Sequence, residues 1–170
     1  MIYTVECNYA DPASEAEWNG FYSLEKLPAL ISVSGFSASQ RFEALSGTCP
    51  AYLALHSVDT LTVLQSDEYR EKGGGTFSGW QSHITDWRRN LYAGQDRAVA
   101  VGADEFLLIS EQGPHVLIEL GLTPVALHAV ALDKTPAHRW LAKLDCVQAR
   151  ACDLQGLNVY RAMKIGRAHV

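Results

Sequence analysis

Residues 2–9 alternate strictly, with Tyr3, Val5 and Cys7 on one face and Thr4, Glu6 and Asn8 on the other. That is the period-two signature of a half-buried strand. Asp11-Pro12 then opens a helix, with Asp as N-cap, Pro in the first turn and Glu15 and Glu17 near the positive end of the helix dipole. Trp18, Phe21, Tyr22 and Glu25 recur at helical spacing until Leu27-Pro28, which ends or bends the run. Residues 35–45 and 51–56 read as strands around the turn-rich Ser46-Gly47-Thr48-Cys49-Pro50. A second helix over 59–72 breaks near Ser66-Asp67 and runs into Gly73-Gly74-Gly75; residues 84–92 fit a strand or a short helix.

The order β-α-β-β-α-β is that of a ferredoxin-like split βαβ unit and accounts for residues 1–95. Residues 96–104 form a connector short enough for the two parts to pack together. Residues 105–164 read as a degenerate second unit, with strands at 106–110 and 125–132, helices at 114–120 and 136–144, and further strands at 147–152 and 157–163. The predicted fold class is therefore α+β, a tandem ferredoxin-like chain with an irregular second half. The last six residues, 165–170, do not share the pattern of the strand before them and match one reading frame of a common sequencing adapter. They are expected to be a non-native tail and carry no weight here.

Composition narrows the functional classes. Of 170 residues, 48% are apolar and 19% charged, and no apolar run approaches the roughly 20 residues of a membrane helix. Fourteen Lys and Arg against 19 Asp and Glu give a net charge of −5, and the longest basic cluster is Arg88-Arg89, so a nucleic-acid partner is not expected. Cys7, Cys49, Cys146 and Cys152 match neither a redox pair nor a zinc knuckle and read as isolated thiols. The first residues read as a strand and not as a signal peptide, which with reduced thiols predicts a cytoplasmic protein. His83, His115, His128 and His138 lack the spacing that places two ligands on one helix face, so no metal or cofactor is expected.

Trp18-Asn19-Gly20-Phe21-Tyr22-Ser23-Leu24-Glu25-Lys26-Leu27-Pro28, Gly35-Phe36, Arg41-Phe42, Tyr52-Leu53-Ala54-Leu55 and Ser66-Asp67-Glu68-Tyr69-Arg70 together resemble the dimeric α/β-barrel superfamily. Within it they are most similar to the EthD-like small proteins of aromatic-degradation and polyketide pathways. The resemblance covers residues 1–93 and implies a barrel, a small aromatic or apolar ligand and a homodimer. The superfamily includes monooxygenases, lactone isomerases, cyclases, dehydratases and haem proteins, so it fixes fold more than activity. One departure stands out: where such relatives commonly read Glu-His-Leu-Pro, this chain has Glu25-Lys26-Leu27-Pro28. Lys26 is either a lysine snorkelling at the helix end or, facing an apolar pocket, an amine of lowered pKa.

In such a barrel one sheet face is covered by helices and the other looks inward. Taking the apolar parity of the first strand as the helix side leaves Glu6 and Asn8 inward. Matching Leu53 and Leu55 to the helix side puts Tyr52 and His56 inward, and Arg41 is assigned inward with them. Walls of Trp18, Tyr22, Trp80 and Trp87 complete a pocket for a small molecule. His56 would act as acid or base oriented by Glu6, with Arg41 and Tyr52 stabilising an oxyanion. The bland alternative is a structural Glu6–Arg41 ion pair and a His56 hydrogen-bonded in the sheet. The expected activity is cofactor-independent isomerisation, cyclisation or dehydration of a carbonyl, lactone or aromatic intermediate. The alternatives are a non-catalytic binding or accessory protein and a cofactor-free monooxygenase acting on an electron-rich aromatic.

Overall fold

The computed structural model describes residues 1–46, 48–74 and 77–169, and for Ser78 and residues 165–169 the backbone alone. Gly47, Gly75 and Val170, which belong to segments read above, lie outside the described residues, as do the side chains of the rest of the presumed tail.

Eight strands close into one antiparallel barrel: β1 (Ile2–Tyr9), β2 (Phe36–Ser46), β3 (Tyr52–Val58), β4 (Ile84–Ala93), β5 (Glu105–Ser110), β6 (Val125–Leu132), β7 (His138–Asp145) and β8 (Asn158–His169). Their order around the barrel is β1-β3-β2-β8-β5-β7-β6-β4, and every pairing is antiparallel. This corrects the expected tandem ferredoxin-like α+β fold: the chain forms a single closed barrel with a few short helices outside it. The β2–β8 and β4–β6 pairings close it, and both carry register shifts, at Gln40/Phe42 and Ala44/Ser46 and at Leu91/Tyr92. Such irregularities let a twisted sheet turn back on itself. The backbone of residues 165–169 continues β8 beside Ala38–Gln40.

Two segments exchange roles relative to the sequence reading. Residues 136–144, read as a helix, contain strand β7, and residues 147–152, read as a strand, belong to α6 (Cys146–Ala151). Trp140, Leu141 and Leu144 have helical spacing, but the chain here fills the gap between β5 and β6, and pairing on both sides outweighs propensity. The start of α6 is written in a capping box: Asp145 accepts from the Gln148 amide while the Gln148 side chain accepts from Asp145 N–H.

An eight-stranded barrel leaves an interior just wide enough for side chains. Ile2, Phe42, Leu53, Leu55, Tyr92, Leu107, Ile109, Leu127, Leu141 and Tyr160 fill it. Outside, α1 (Glu15–Phe21), a π-helical turn (Tyr22–Lys26), α2 (Leu27–Ile31), α3 (Leu61–Leu64) and α4 (Asp67–Glu71) cover the β1–β3–β2 face. On the other side α5 (His115–Glu119) and α6 cover a smaller cluster around Leu108, Leu117 and Leu144. Among the described residues no helix is long and apolar enough to cross a membrane.

Candidate functional site

Residues directly opposite each other in an antiparallel pair share a sheet face. Tyr3 faces His56 and Cys7 faces Tyr52, while Glu6 faces Leu53. His56 and Tyr52 therefore lie with Tyr3 and Cys7 on the helix-covered face, and Leu53 and Leu55 point into the barrel. Arg41, opposite Ala54, is on the helix-covered face too. The proposed Glu6–His56 pair does not form, because a sheet separates the two side chains. The error has a physical source: all seven residues of β3 are buried, so its sequence has no polar face to reveal its parity.

Glu6 does point inward, where it is a structural ion. Its carboxylate accepts from Arg88 Nε and Nη2 at 3.1 Å each and from Arg139 Nη2 at 2.8 and 2.9 Å, and Glu111 lies 3.0 Å from Arg139. Asn8 sits at the barrel mouth, donating to Asp86 at 2.8 Å and accepting from the Ala51 amide at 2.7 Å. Neither group reaches His56.

The helix-covered face brings other residues together. Tyr3 and Val5 of β1, Tyr22 and Lys26 of the π-turn, Leu30 of α2, His56 of β3, Tyr69 of α4, Gly73 and Trp87 of β4 surround a cavity of about 10 Å³, room for the centre of one water. Lys26 enters it because of its local sequence. Pro28 sits within a continuous helical run, where its ring opposes the carbonyl four residues back, and widening to a π-turn relieves that clash. Leu27 N–H bonds the Tyr22 carbonyl, five residues back. The result inverts the usual preference: Leu24 is 63% exposed and Lys26 only 6%. The Lys26 ammonium donates to the Gly73 carbonyl and lies 4.2 Å from the Phe77 ring centroid. Burial pushes its pKa down to about 8, so about a tenth of the amine is neutral at pH 7.

His56 is completely buried, with Nδ1 2.6 Å from Ser39 Oγ and its ring stacked on Tyr3 at 5.3 Å. Its Nε2 has no hydrogen-bond partner among the described residues. Desolvation, with the charge of Lys26 second, pushes the imidazole down to about 3, so it is neutral at any physiological pH. The Tyr3 and Tyr69 hydroxyls are 3.0 Å apart, the Arg89 cation of β4 interacts electrostatically with both, and burial holds the Tyr3 phenol well above its ordinary pKa. A Cβ at Gly74 would run into the Tyr69 ring, so this glycine permits the close approach of the 73–74 turn to the cavity.

The remaining predicted residues are fixed by packing. Arg41 donates to the Asn19 carbonyl (3.2 Å), Asn19 Oδ1 (2.7 Å) and Ser23 Oγ (3.0 Å), and stacks 4.0 Å from the Tyr22 centroid. Tyr52 donates to Glu15 and accepts from Asn19, both at 3.0 Å, so neither it nor Arg41 presents a donor to an oxyanion. Trp18 is fully buried and stacked on Tyr9 at 4.6 Å, and Trp80 stacks on Phe21 at 4.7 Å outside the cavity lining. Of the residues named from sequence, Lys26, His56, Tyr22 and Trp87 meet at the cavity; Tyr3, Tyr69, Arg89 and Ser39 were missed. The parity of β1 puts Tyr3 on the helix side, and the same parity carried across to β3 points to the cluster. The four cysteines are free, and burial pushes the Cys7 thiol up to about 12, leaving it unreactive. Among the described residues no group of three or more His, Cys, Asp or Glu is placed to hold a metal ion.

No family model matches this chain. No curated protein matches it either. Solved structures do share its fold. An anthrone oxidase-like protein aligns over 99% of this chain and 92% of its own, with a TM-score of 0.55 at 10% identity. A proposed monooxygenase from Lactobacillus acidophilus aligns over 99% and 95%, with a TM-score of 0.53 at 7% identity. A proposed monooxygenase from Fusobacterium nucleatum aligns over 99% and 94%, with a TM-score of 0.55 at 7% identity. At these identities the likeness is one of fold.

Proposed function

We propose that this protein is a small-molecule oxygenase that needs only an acid/base site, acting on an electron-rich aromatic with an acidic C–H or O–H bond. The observation that carries the reading is the convergence of a buried lysine amine and an unpartnered imidazole nitrogen on one aromatic-walled cavity. In this reading neutral Lys26 removes the substrate proton. The resulting carbanion or phenolate is the electron donor to dioxygen, so no separate reductant is required. For an anthrone-type CH₂ group the balance closes with one oxygen atom in the new carbonyl and the other leaving as water. His56 Nε2 and the Tyr3–Tyr69–Arg89 group would contact substrate oxygens as the charge develops.

The fold shared with an anthrone oxidase-like protein and two proposed monooxygenases supports this reading, as does the resemblance of residues 1–93 to EthD-like proteins of aromatic pathways. The isomerase, cyclase or dehydratase reading loses its main support, since the Glu6–His56 pair it needed lies on opposite sheet faces. A ring cannot enter a space the size of one water, so turnover requires a wall to move, and Trp87 and Gly73 are its half-buried walls. The test is dioxygen uptake with an anthrone or hydroxyanthrone, using isotopically heavy dioxygen to label the product carbonyl. Lys26→Met should fall to the uncatalysed rate; undiminished uptake in that variant would overturn the proposal.

A further inference from the structure

Arg41 is buried at 1% exposure, on the same sheet face as the cavity, yet it does not line the cavity. It is satisfied by one carbonyl, one amide oxygen and one hydroxyl, all from the two turns that lead into Lys26. Its guanidinium also lies 5.2 Å from the Trp18 centroid, 4.0 Å from Tyr22 and 5.6 Å from Tyr52. A guanidinium is suited to this task, because its rigid fork can hold several acceptors at once while its faces stack on rings.

We propose that Arg41 is a positioning residue for Lys26: it clamps Asn19 and Ser23 so that the π-turn keeps the amine inside the cavity. This rests on the reading of Lys26 as the base. The clamp is needed because the turn is unfavourable alone. It exposes Leu24 and buries an ammonium, and turning the segment by about one residue, roughly 100° of helix, would reverse both. Asn19 and Ser23 lie four residues apart, so one side chain that grips both fixes the helical phase at which the π-turn begins. Among the described residues, the groups that face Lys26 include Tyr22 on its own element, Tyr3 of β1, His56 of β3, Tyr69 of α4 and the Gly73 carbonyl, with the Arg89 cation of β4 behind the two tyrosines.

The experiment is pulse acetylation of the whole protein from pH 6 to 11, with Lys26 labelling followed by peptide mass mapping. In the wild type Lys26 should titrate near 8, with an unstructured lysine peptide added to the same reaction as the reference. In Arg41→Met the midpoint should climb by one to two pH units toward the ordinary value of 10.5 as the turn relaxes and the amine reaches water. Arg41→Lys should behave the same way, since it keeps the charge and loses the fork. A midpoint unmoved in a folded Arg41 variant, judged by near-ultraviolet circular dichroism, would overturn the inference. If these variants do not fold, Ser23→Ala removes one acceptor and leaves the cation in place, and should give a smaller shift in the same direction; no shift there counts against the clamp. Dioxygen uptake is read separately: wild-type activity in Lys26→Met sinks the oxygenase reading and leaves the titration result standing.

Discussion

The two faces of the β1–β3–β2 sheet bury positive charge in opposite ways. Inside the barrel Arg139 meets the Glu6 and Glu111 carboxylates, and Arg88 meets Glu6, so charges cancel over hydrogen-bond distances. On the helix-covered face Arg41 meets neutral oxygens and aromatic rings, and Lys26 meets a carbonyl and a ring. Paired charges lower each other's energy and resist titration. Cations set against dipoles and rings carry a desolvation cost that surrounding packing meets, and an amine so placed gives up its proton more readily. The barrel interior therefore reads as the structural side of the sheet and the helix-covered face as the reactive one.

The largest effect should come from breaking the interior pairing. Glu6→Gln leaves Arg139 buried without its main counter-charge and is expected to cost about 3–5 kcal/mol in urea unfolding. It should leave the Lys26 titration unchanged, because the sheet lies between them. A Glu6→Gln protein with normal stability but a shifted Lys26 midpoint would reverse the assignment of the two faces.

Acid should come next. The His56 imidazole is depressed to about 3 in the folded chain against an ordinary 6.5, so between those values the unfolded chain binds more protons. Stability is then lost as pH falls, by about 3 kcal/mol between pH 7 and pH 4. His56→Phe should flatten that part of the curve. If the variant and the wild type lose stability in parallel, His56 is not buried neutral as the structure shows.

Part of this was legible in the chain and part was not, for reasons that lie in particular residues. The parity of β1 was readable because Thr4, Glu6 and Asn8 alternate with Tyr3, Val5 and Cys7, and the inward direction of Glu6 followed from it. In β3 both faces are buried and no alternation exists, which misplaced His56 and Tyr52 together and detached them from Tyr3. Lys26 stands out in the chain only as a departure from the motif that the segment resembles. Its inward direction depends on the π-turn, which Pro28 permits but no local pattern announces. In the second half β7 and α6 were exchanged because strand pairing overrode helical spacing in one and the Asp145/Gln148 capping box was passed over in the other.

Lys26→Met sharpens the contrast from the other side. The ammonium binds its proton less tightly folded than unfolded, so it destabilises the fold below pH 8, and that cost disappears as pH rises from about 8 to 10.5. The variant should be about 1–3 kcal/mol more stable than wild type at pH 7, with the gap closing by pH 10. A destabilised variant at pH 7 would mean that the contacts of Lys26 with Gly73 and Phe77 outweigh its desolvation. In that case the lysine is a structural member of the face and not its reactive one.

The smallest effect should come from a charge pair on the outer face that lies beyond the helical cover, in water. Arg161 and Glu43 join β8 to β2 at 2.9 Å, but their side chains are 55% and 43% exposed. Arg161→Ala should change stability by about 0–1 kcal/mol, and less at high salt, because water screens the pair and two long side chains lose freedom in forming it. The seam is held instead by the β2–β8 hydrogen bonds and by Phe42 and Tyr160 packed beneath them. A loss comparable to that of Glu6→Gln would show that closure of the barrel depends on this surface pair, and the distinction between buried pairing as structure and exposed pairing as decoration would fail at the point where the sheet closes.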